Sequence, residues 1–265
     1  MHPKIGLALS SGGARGFAHL GVLKVLKEEG IEIDFVAGSS MGSIVAVLLA
    51  NQLDLEMCEQ VAISLKRKHW LDLTIPKMGF VIGNKVRELI RLLTHNKRLE
   101  QLAIPTAVIA TDLTRGEPVV FTEGPADLAV RASISIPGIF EPVRLGNQLL
   151  VDGGVIDRVP VSVVREMGAD LVIAVDVIPR VNQAKIENIF DVIAQTLVIM
   201  EKEITSQRIV AADFVFHPDV GHIGPTAFMR AEECIQKGEE EARAKVKKLK
   251  ELIRNWQGEE VWDGI

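Results

Sequence analysis

The 265-residue sequence predicts an α/β protein, a three-layer α/β/α sandwich with a mainly parallel central sheet. Three observations predict it. Compact apolar runs, as at residues 4–10, 106–112 and 171–177, alternate with segments whose apolar residues recur at helical spacing. The run at residues 4–10 and a shorter one at 35–37 each pass through a glycine-containing turn into a helix, the unit from which parallel sheets are built. No internal repeat, low-complexity tract or linker interrupts the alternation, so one domain is expected over residues 1–265.

The first unit opens with Lys4-Ile5-Gly6-Leu7-Ala8-Leu9-Ser10, which reads as a strand buried on both faces. Ser10-Ser11-Gly12-Gly13-Ala14-Arg15-Gly16 turns the chain, and Phe17, Leu20, Val22, Leu23 and Leu26 mark one side of a helix that closes near Gly30. Such a turn aims several backbone N–H groups at one point ahead of a helix, which suits an anion. A nucleotide pyrophosphate, a phosphate and the oxyanion of acyl transfer are the candidates. The glycines do not give Gly-x-Gly-x-x-Gly and no Walker lysine follows, which argues against a nucleotide. Arg15 is read either as orienting the turn, as meeting a substrate anion, or as a surface ion-pair partner.

The second unit is Phe35-Val36-Ala37-Gly38-Ser39-Ser40-Met41-Gly42, followed by an apolar helix over residues 44–50. Gly-x-Ser-x-Gly between strand and helix is the signature of an elbow that holds the serine at strained angles, with Gly38 and Gly42 removing side chains where the segments converge. Ser40 is then a nucleophile at a helix N-terminus; the alternative is a helix cap in an ordinary βα turn. Successive parallel strands tend to be neighbours, so the Gly12–Gly13 turn and the elbow are expected at the same sheet edge, as acyl transfer requires.

Further along, a helix over residues 55–71 ends in the basic run Lys66-Arg67-Lys68-His69-Trp70, a solvated face or a lipid-facing patch. A break at residues 75–83 is read as a lid, a substrate mouth or a connector, ahead of a helix over residues 84–93. The strand at 106–112 leads into a hairpin whose second strand, Val119-Val120-Phe121, is expected at a sheet edge. A helix at 126–133 is followed by Ile136-Pro137-Gly138-Ile139-Phe140-Glu141-Pro142, expected to be an extended crossing. Strand composition on both sides of Gly146-Asn147 then delivers Asp152-Gly153-Gly154. Asp152 is either a turn residue with an Asx hydrogen bond or a carboxylate held close to ligand. Residues 161–167 read as helix, 171–177 as strand, 186–210 as a long helix and 214–217 as a final strand. A C-terminal helix is expected over about residues 228–256, with Gly238 a candidate break. Its stripe Ala242, Val246, Leu249, Ile253 and Trp256 is flanked by Arg243, Lys245, Lys247, Lys248, Lys250 and Arg254. That stripe packs on the sheet or rests on an anionic membrane, which would make contact with the membrane peripheral.

Composition narrows the function classes. With 48% hydrophobic residues, net charge −5 and pI about 5.8, no nucleic-acid partner is expected. Cys58 and Cys234 lack metal-ligand spacing and read as buried thiols, so neither metal nor cofactor is expected. The start of the chain carries no secretory pattern and no run reaches the length of a membrane span, which points to a cytoplasmic setting. Oligomeric state is not encoded in any pattern.

A serine needs a base. One candidate is a triad of Ser40, Asp152 or Asp176, and His217 or His222, in the chain order of an α/β-hydrolase. The other is a dyad of Ser40 with Asp152, which requires a partly desolvated carboxylate because an exposed one, of pKa near 3.9, is a weak base.

Gly12-Gly13-Ala14-Arg15-Gly16, Gly38-Ser39-Ser40-Met41-Gly42 and Asp152-Gly153-Gly154 resemble, in order, the oxyanion loop, nucleophile elbow and catalytic Asp-Gly-Gly block of the patatin-like phospholipases. Thr111-Asp112-Leu113-Thr114-Arg115-Gly116-Glu117 and Ala132-Ser133-Ile134-Ser135-Ile136-Pro137 look like that family's connecting blocks, and the chain's size resembles its small bacterial members. Asp157-Arg158-Val159-Pro160 departs from the family pattern, in which many members carry asparagine before the proline. The resemblance implies a patatin-like fold and a lipid acyl hydrolase that needs no metal. In it Ser40 attacks, Asp152 takes the proton, and N–H groups around Gly12 to Gly16 hold the oxyanion. Thioester or simple ester hydrolysis, and a regulatory lipid-binding role on the same fold, are the alternatives.

Overall fold

β1 (Ile5–Leu9) and β2 (Phe35–Ser39) pair in parallel with Leu9 opposite Gly38, so the two glycine turns that follow them lie side by side. The computed structural model describes residues 2–64, 72, 75, 78–179, 186–187, 189–205 and 211–257. The remaining strands are β3 (Thr106–Asp112), β4 (Glu117–Phe121), β5 (Val143–Leu145), β6 (Gln148–Asp152), β7 (Leu171–Val175) and β8 (Phe214–Phe216). They form one sheet in the order β5-β6-β3-β2-β1-β7-β8, with β4 paired to β3. The five strands β3, β2, β1, β7 and β8 run parallel, while β4, β5 and β6 add antiparallel pairs.

The helices are α1 (Ala18–Glu28), α2 (Met41–Ala50), α3 (Leu55–Ser64), α4 (Asn84–Leu93), α5 (Ala126–Ser133), α6 (Val161–Glu166), α7 (Ile189–Thr205) and α8 (Ala231–Arg254). β1, β3 and β7 are buried along their whole length, as runs without polar alternation require of a sheet covered on both faces. Alternate residues serve the two layers. Leu7, Leu9, Val36, Ile173 and Val175 pack into one core with α1, α2 and α8. Ala8, Ala37, Ala107 and Ala174 face Val161, Val163 and Val164 of α6, where small side chains let the helix lie close.

α8 is unbroken at Gly238, contrary to the sequence reading. A Cβ at Gly238 would stand 2.0 Å from the Ala18 carbonyl oxygen, and one at Gly21 2.0 Å from that of Ile235, so the glycines let α1 and α8 touch backbone to backbone. Three of the six flanking cations are paired: Arg243 with Glu28 at 2.7 Å, Lys250 with Glu29 at 2.8 Å and Lys245 with Glu241 at 2.6 Å. Packing within the protein thus accounts for this amphipathic helix.

A further difference concerns a loop. Residues 136–142 do not cross extended but fold into a tight turn, in which Ile139 and Phe140 both donate N–H to the Ile136 carbonyl and Gly138 takes φ +77°. The turn is stapled to residues 80–81, whose N–H groups both donate to the Ile139 carbonyl. The helix of α3 is described to Ser64, and the basic run Lys66-Arg67-Lys68-His69-Trp70 lies outside the described residues. Among the described residues no helix is long and apolar enough to cross a membrane.

Candidate active site

The site is assembled on one edge of β3. β2 runs parallel along its first half, with Ser39 opposite Ile109, and antiparallel β6 takes its second half, with Asp152 opposite Ala110. β4 occupies the other edge from Val108 to Asp112, overlapping both partners, because Val108 and Ala110 are also paired with Phe121 and Val119. β2 and β6 therefore point their C-terminal ends at each other across two consecutive residues of β3. Ser40 follows one end and Asp152 closes the other. A Cβ at Gly153 would lie 2.2 Å from the Ile109 carbonyl oxygen and 2.6 Å from Ser39 Oγ, so the close junction needs glycine after the aspartate.

Ser40 sits at φ 51°, ψ −122°, a strained geometry for a residue with a side chain. Three hydrogen bonds hold it there: its N–H donates to Ser133 Oγ at 2.9 Å, while its carbonyl accepts from the Ser43 N–H at 2.9 Å and from Ser43 Oγ at 2.7 Å. Gly42 permits the elbow because a Cβ there would meet the Leu9 and Ser10 carbonyl oxygens at 2.3 and 2.6 Å; Gly38 faces the backbone of Gly42 in the same way. The helix-cap alternative fails, since the Ser40 side chain caps no N–H of α2. Its Oγ instead donates to Asp152 Oδ2 at 2.5 Å, across 112 positions of sequence.

Asp152 forms the Asx turn of its first sequence reading and at the same time meets Ser40. Oδ1 accepts the Gly154 N–H at 2.8 Å in an Asx turn, and this fixes the carboxylate so that Oδ2 meets Ser40. Burial pushes its pKa up to about 6, against the opposing pull of the bonds from Ser40 and Gly154 and of the Arg158 charge. Arg158 is buried beside it, its own pKa lowered to about 10 by desolvation against the charges of Asp176 and Asp152.

The glycine turn lies next to both groups. Gly13 begins a short 3₁₀ turn, Gly13–Phe17, at φ +57°. The Ala14 N–H is taken by the Pro225 carbonyl at 2.8 Å, and Arg15, fully buried, donates Nε to the Ile223 carbonyl at 2.6 Å. Arg15 therefore ties the turn to residues 223–225 and is not a surface ion-pair partner. Ser11 N–H donates to the Arg158 carbonyl at 3.0 Å. The N–H groups of Gly12 and Gly13 have no acceptor among the described residues, and both glycines line the cavity that holds Ser40 and Asp152. Ala14 and Gly16 contribute to the shape of the turn rather than to that cavity wall.

Three described histidines lie elsewhere. His217 Nδ1 is 3.5 Å from Asp176 Oδ2, His222 Nε2 is 2.7 Å from Glu233 Oε1, and His19, held neutral by burial with its pKa lowered to about 4, bonds the Ser10 carbonyl. Among the described residues none of them lines a cavity at Ser40.

Two apolar cavities meet at the serine. The larger, about 230 Å³, carries Gly12, Asp152 and Arg158 at its base, with Val81, Phe190, Leu197 and Val198 among its walls. The smaller, about 120 Å³, runs between α1, α2, α3 and α4 and is walled by residues such as Leu20, Val45, Leu48, Cys58, Ile90 and Leu93. Gly13, Ser40, Ile136, Phe140 and Phe228 border both. Sequence reasoning missed Ser133, Pro225 and Phe228. Ser133 stood in a block noted only as a connector, and Pro225 acts through a backbone carbonyl, which leaves no trace in residue type.

The fold and this site define a class of α/β/α protein with an elbow serine bonded to an aspartate, and among the described residues no histidine lines a cavity at that serine. Within that class the chain belongs to the patatin-like phospholipase family, whose family model matches residues 7–165. An uncharacterised NTE family protein of Mycobacterium tuberculosis is 42% identical over 176 residues, covering 65% of this chain and 49% of that protein. The lysophospholipase NTE1 of Yarrowia lipolytica is 36% identical over 179 residues, covering 65% of this chain and 12% of its own length. The chain thus spans at most about half the length of these relatives. In fold it is similar to VipD of Legionella pneumophila, with a TM-score of 0.69 at 14% identity, over 93% of this chain and 67% of that one.

Proposed function

We propose that the protein is a serine acyl hydrolase of lipid esters, working through Ser40 and Asp152 without a metal. The observation that carries this reading is the 2.5 Å bond between Ser40 Oγ and Asp152 Oδ2 at the junction of two apolar cavities. Ser40 Oγ attacks the acyl carbonyl carbon as Asp152 Oδ2 takes its proton. The carbonyl oxygen becomes an oxyanion that receives the N–H groups of Gly12 and Gly13, aided by the N-terminus of α2. Collapse of the tetrahedral intermediate breaks the ester C–O bond, and the departing alkoxide receives the proton from Asp152. Water then gives a proton to Asp152 and attacks the acyl-Ser40 ester; as the second tetrahedral intermediate breaks the C–Oγ bond, Asp152 returns the proton to Ser40 Oγ and the fatty acid is released. A carboxylate with pKa about 6 is matched to this shuttle, being ionised at neutral pH yet basic enough to accept a proton during attack.

The smaller cavity, walled by aliphatic side chains, takes the scissile acyl chain, and the larger one takes the rest of the lipid beside Arg158. Apolar groups on both sides of the ester therefore suit this site better than a small polar alcohol does. The chain acts as one acyl hydrolase domain, a reading supported by the packing of α8 on α1. The buried thiols of Cys58 and Cys234 support a reducing, cytoplasmic setting with peripheral access to lipid. A fluorophosphonate probe tests the nucleophile: the wild type is expected to be labelled and Ser40→Ala not. Equal labelling of the two would remove Ser40 from the mechanism.

A further inference from the structure

α7 is apolar on two sides. Phe190, Ala194, Leu197 and Val198 line the larger cavity, so the helix roofs the space above Ser40 and Asp152. On its outer side Ile189, Val192, Ile199 and Met200 are each at least half exposed, Met200 by 61%, and Thr196, also exposed, is the polar member of that face. Residues 189, 192, 196 and 199 follow one another at helical spacing, so about three turns of helix present a face without charge. A helix that is apolar all round is normally buried on all sides. The solvent side of α8, in contrast, is built of ion pairs. The patch extends past the helix: Ile186 precedes it with 51% exposure, and Phe80 packs edge to face on Phe190 at 5.7 Å, joining α7 to the segment that carries the exposed Met78. Met229, 71% exposed, follows Phe228, which borders both cavities.

We infer that the outer face of α7, with Met78 and Met229 beside the cavity mouth, seats the protein on the surface of a lipid bilayer. The inference rests on the proposed lipid esterase reading, since continuity between this face and a lipid-sized apolar cavity is what selects the occupant. Seated there, the bilayer meets the mouth, and an acyl chain passes from one apolar phase into another without crossing water. A protein partner on the same face would cover the route to Ser40. Because the face carries no charge and the chain is net −5, a zwitterionic surface suffices, and anionic lipid is not required. This places the membrane-facing surface on α7, away from the basic stripe of α8. Asp191, at the start of the helix, accepts a hydrogen bond from Thr226 Oγ1 at 2.5 Å and so fixes the roof to the strap that holds the glycine turn.

The test is flotation with phosphatidylcholine vesicles, in a Ser40→Ala chain so that binding is read without hydrolysis. That chain is expected to float, and the added pair Val192→Asp and Ile199→Asp, neither of which lines the cavities, to weaken partitioning at least tenfold. In the Ser40 background the same pair is expected to keep the wild-type turnover of a water-soluble short-chain ester, which verifies the fold. The inference is overturned if the parent chain stays with the aqueous phase, if the double variant floats equally well, or if size-exclusion shows a dimer that the pair dissociates. Absence of short-ester turnover in the wild type would count against the esterase reading alone, because flotation is scored separately.

Discussion

Replacing Asp152 by asparagine should abolish turnover and at the same time stabilise the fold. Burial raises the folded-state pKa to about 6, from an ordinary value of 3.8. The native state therefore binds this proton more tightly than the unfolded chain does. Below pH 3.8 both states are protonated; between 3.8 and 6 the native state alone keeps the proton, and stability falls as pH rises through that window. Above it the loss is complete, at about 2.2 pH units times about 1.36 kcal/mol, or ~3 kcal/mol. Asparagine copies the protonated side chain at every pH. Asp152→Asn should thus exceed the wild type by up to about 3 kcal/mol at pH 8, a rise of roughly 6 °C in Tm for a chain of this size. The advantage should shrink to nothing near pH 4, while kcat at pH 8 falls by about a thousandfold or more for want of a base. Urea melts of both proteins at pH 4, 6 and 8 measure the difference. A variant no more stable than wild type at pH 8, or a gap that does not change with pH, would refute the idea that a desolvated carboxylate serves Ser40.

Two further outcomes follow from the same geometry. His217→Ala and His222→Ala should each retain kcat/KM within about threefold of wild type, because their rings face Asp176 and Glu233 and not Ser40; a collapse in either variant would reinstate a histidine base. Across a series of esters of increasing acyl length, kcat/KM should climb about fourfold per methylene, from ~0.8 kcal/mol of transfer free energy each, and level off once the cavity of about 120 Å³ is filled. A flat series in steady-state assays would argue that the acyl chain does not enter between α1, α2 and α4.

The elbow was legible in the sequence because its cause is local. Gly38 and Gly42 flank a residue that must sit at φ 51°, and an apolar strand and an apolar helix adjoin it on either side. The adjacency of the Gly12–Gly13 turn was legible for a similar reason, since consecutive βα units place their strands side by side. The strand-helix alternation gave the fold class on the same grounds. Reading went astray at residues 136–142, taken as extended from their prolines, and at a glycine with a long-range purpose. Gly238 looked like a break in α8, yet it is where α1 comes within backbone contact.

By itself the sequence determined that Ser40 occupies a strained turn beside a glycine loop, and that Asp152 stands at the end of an apolar strand. It left open which side chain stands beside Ser40, and register places Asp152 there. β6 meets the edge of β3 one residue beyond the point where β2 leaves it, and no local pattern encodes that coincidence between strands 112 positions apart. Only the assembled sheet also removes the carboxylate from water, and so raises its pKa, because desolvation depends on every layer packed around a group and not on its neighbours in the chain.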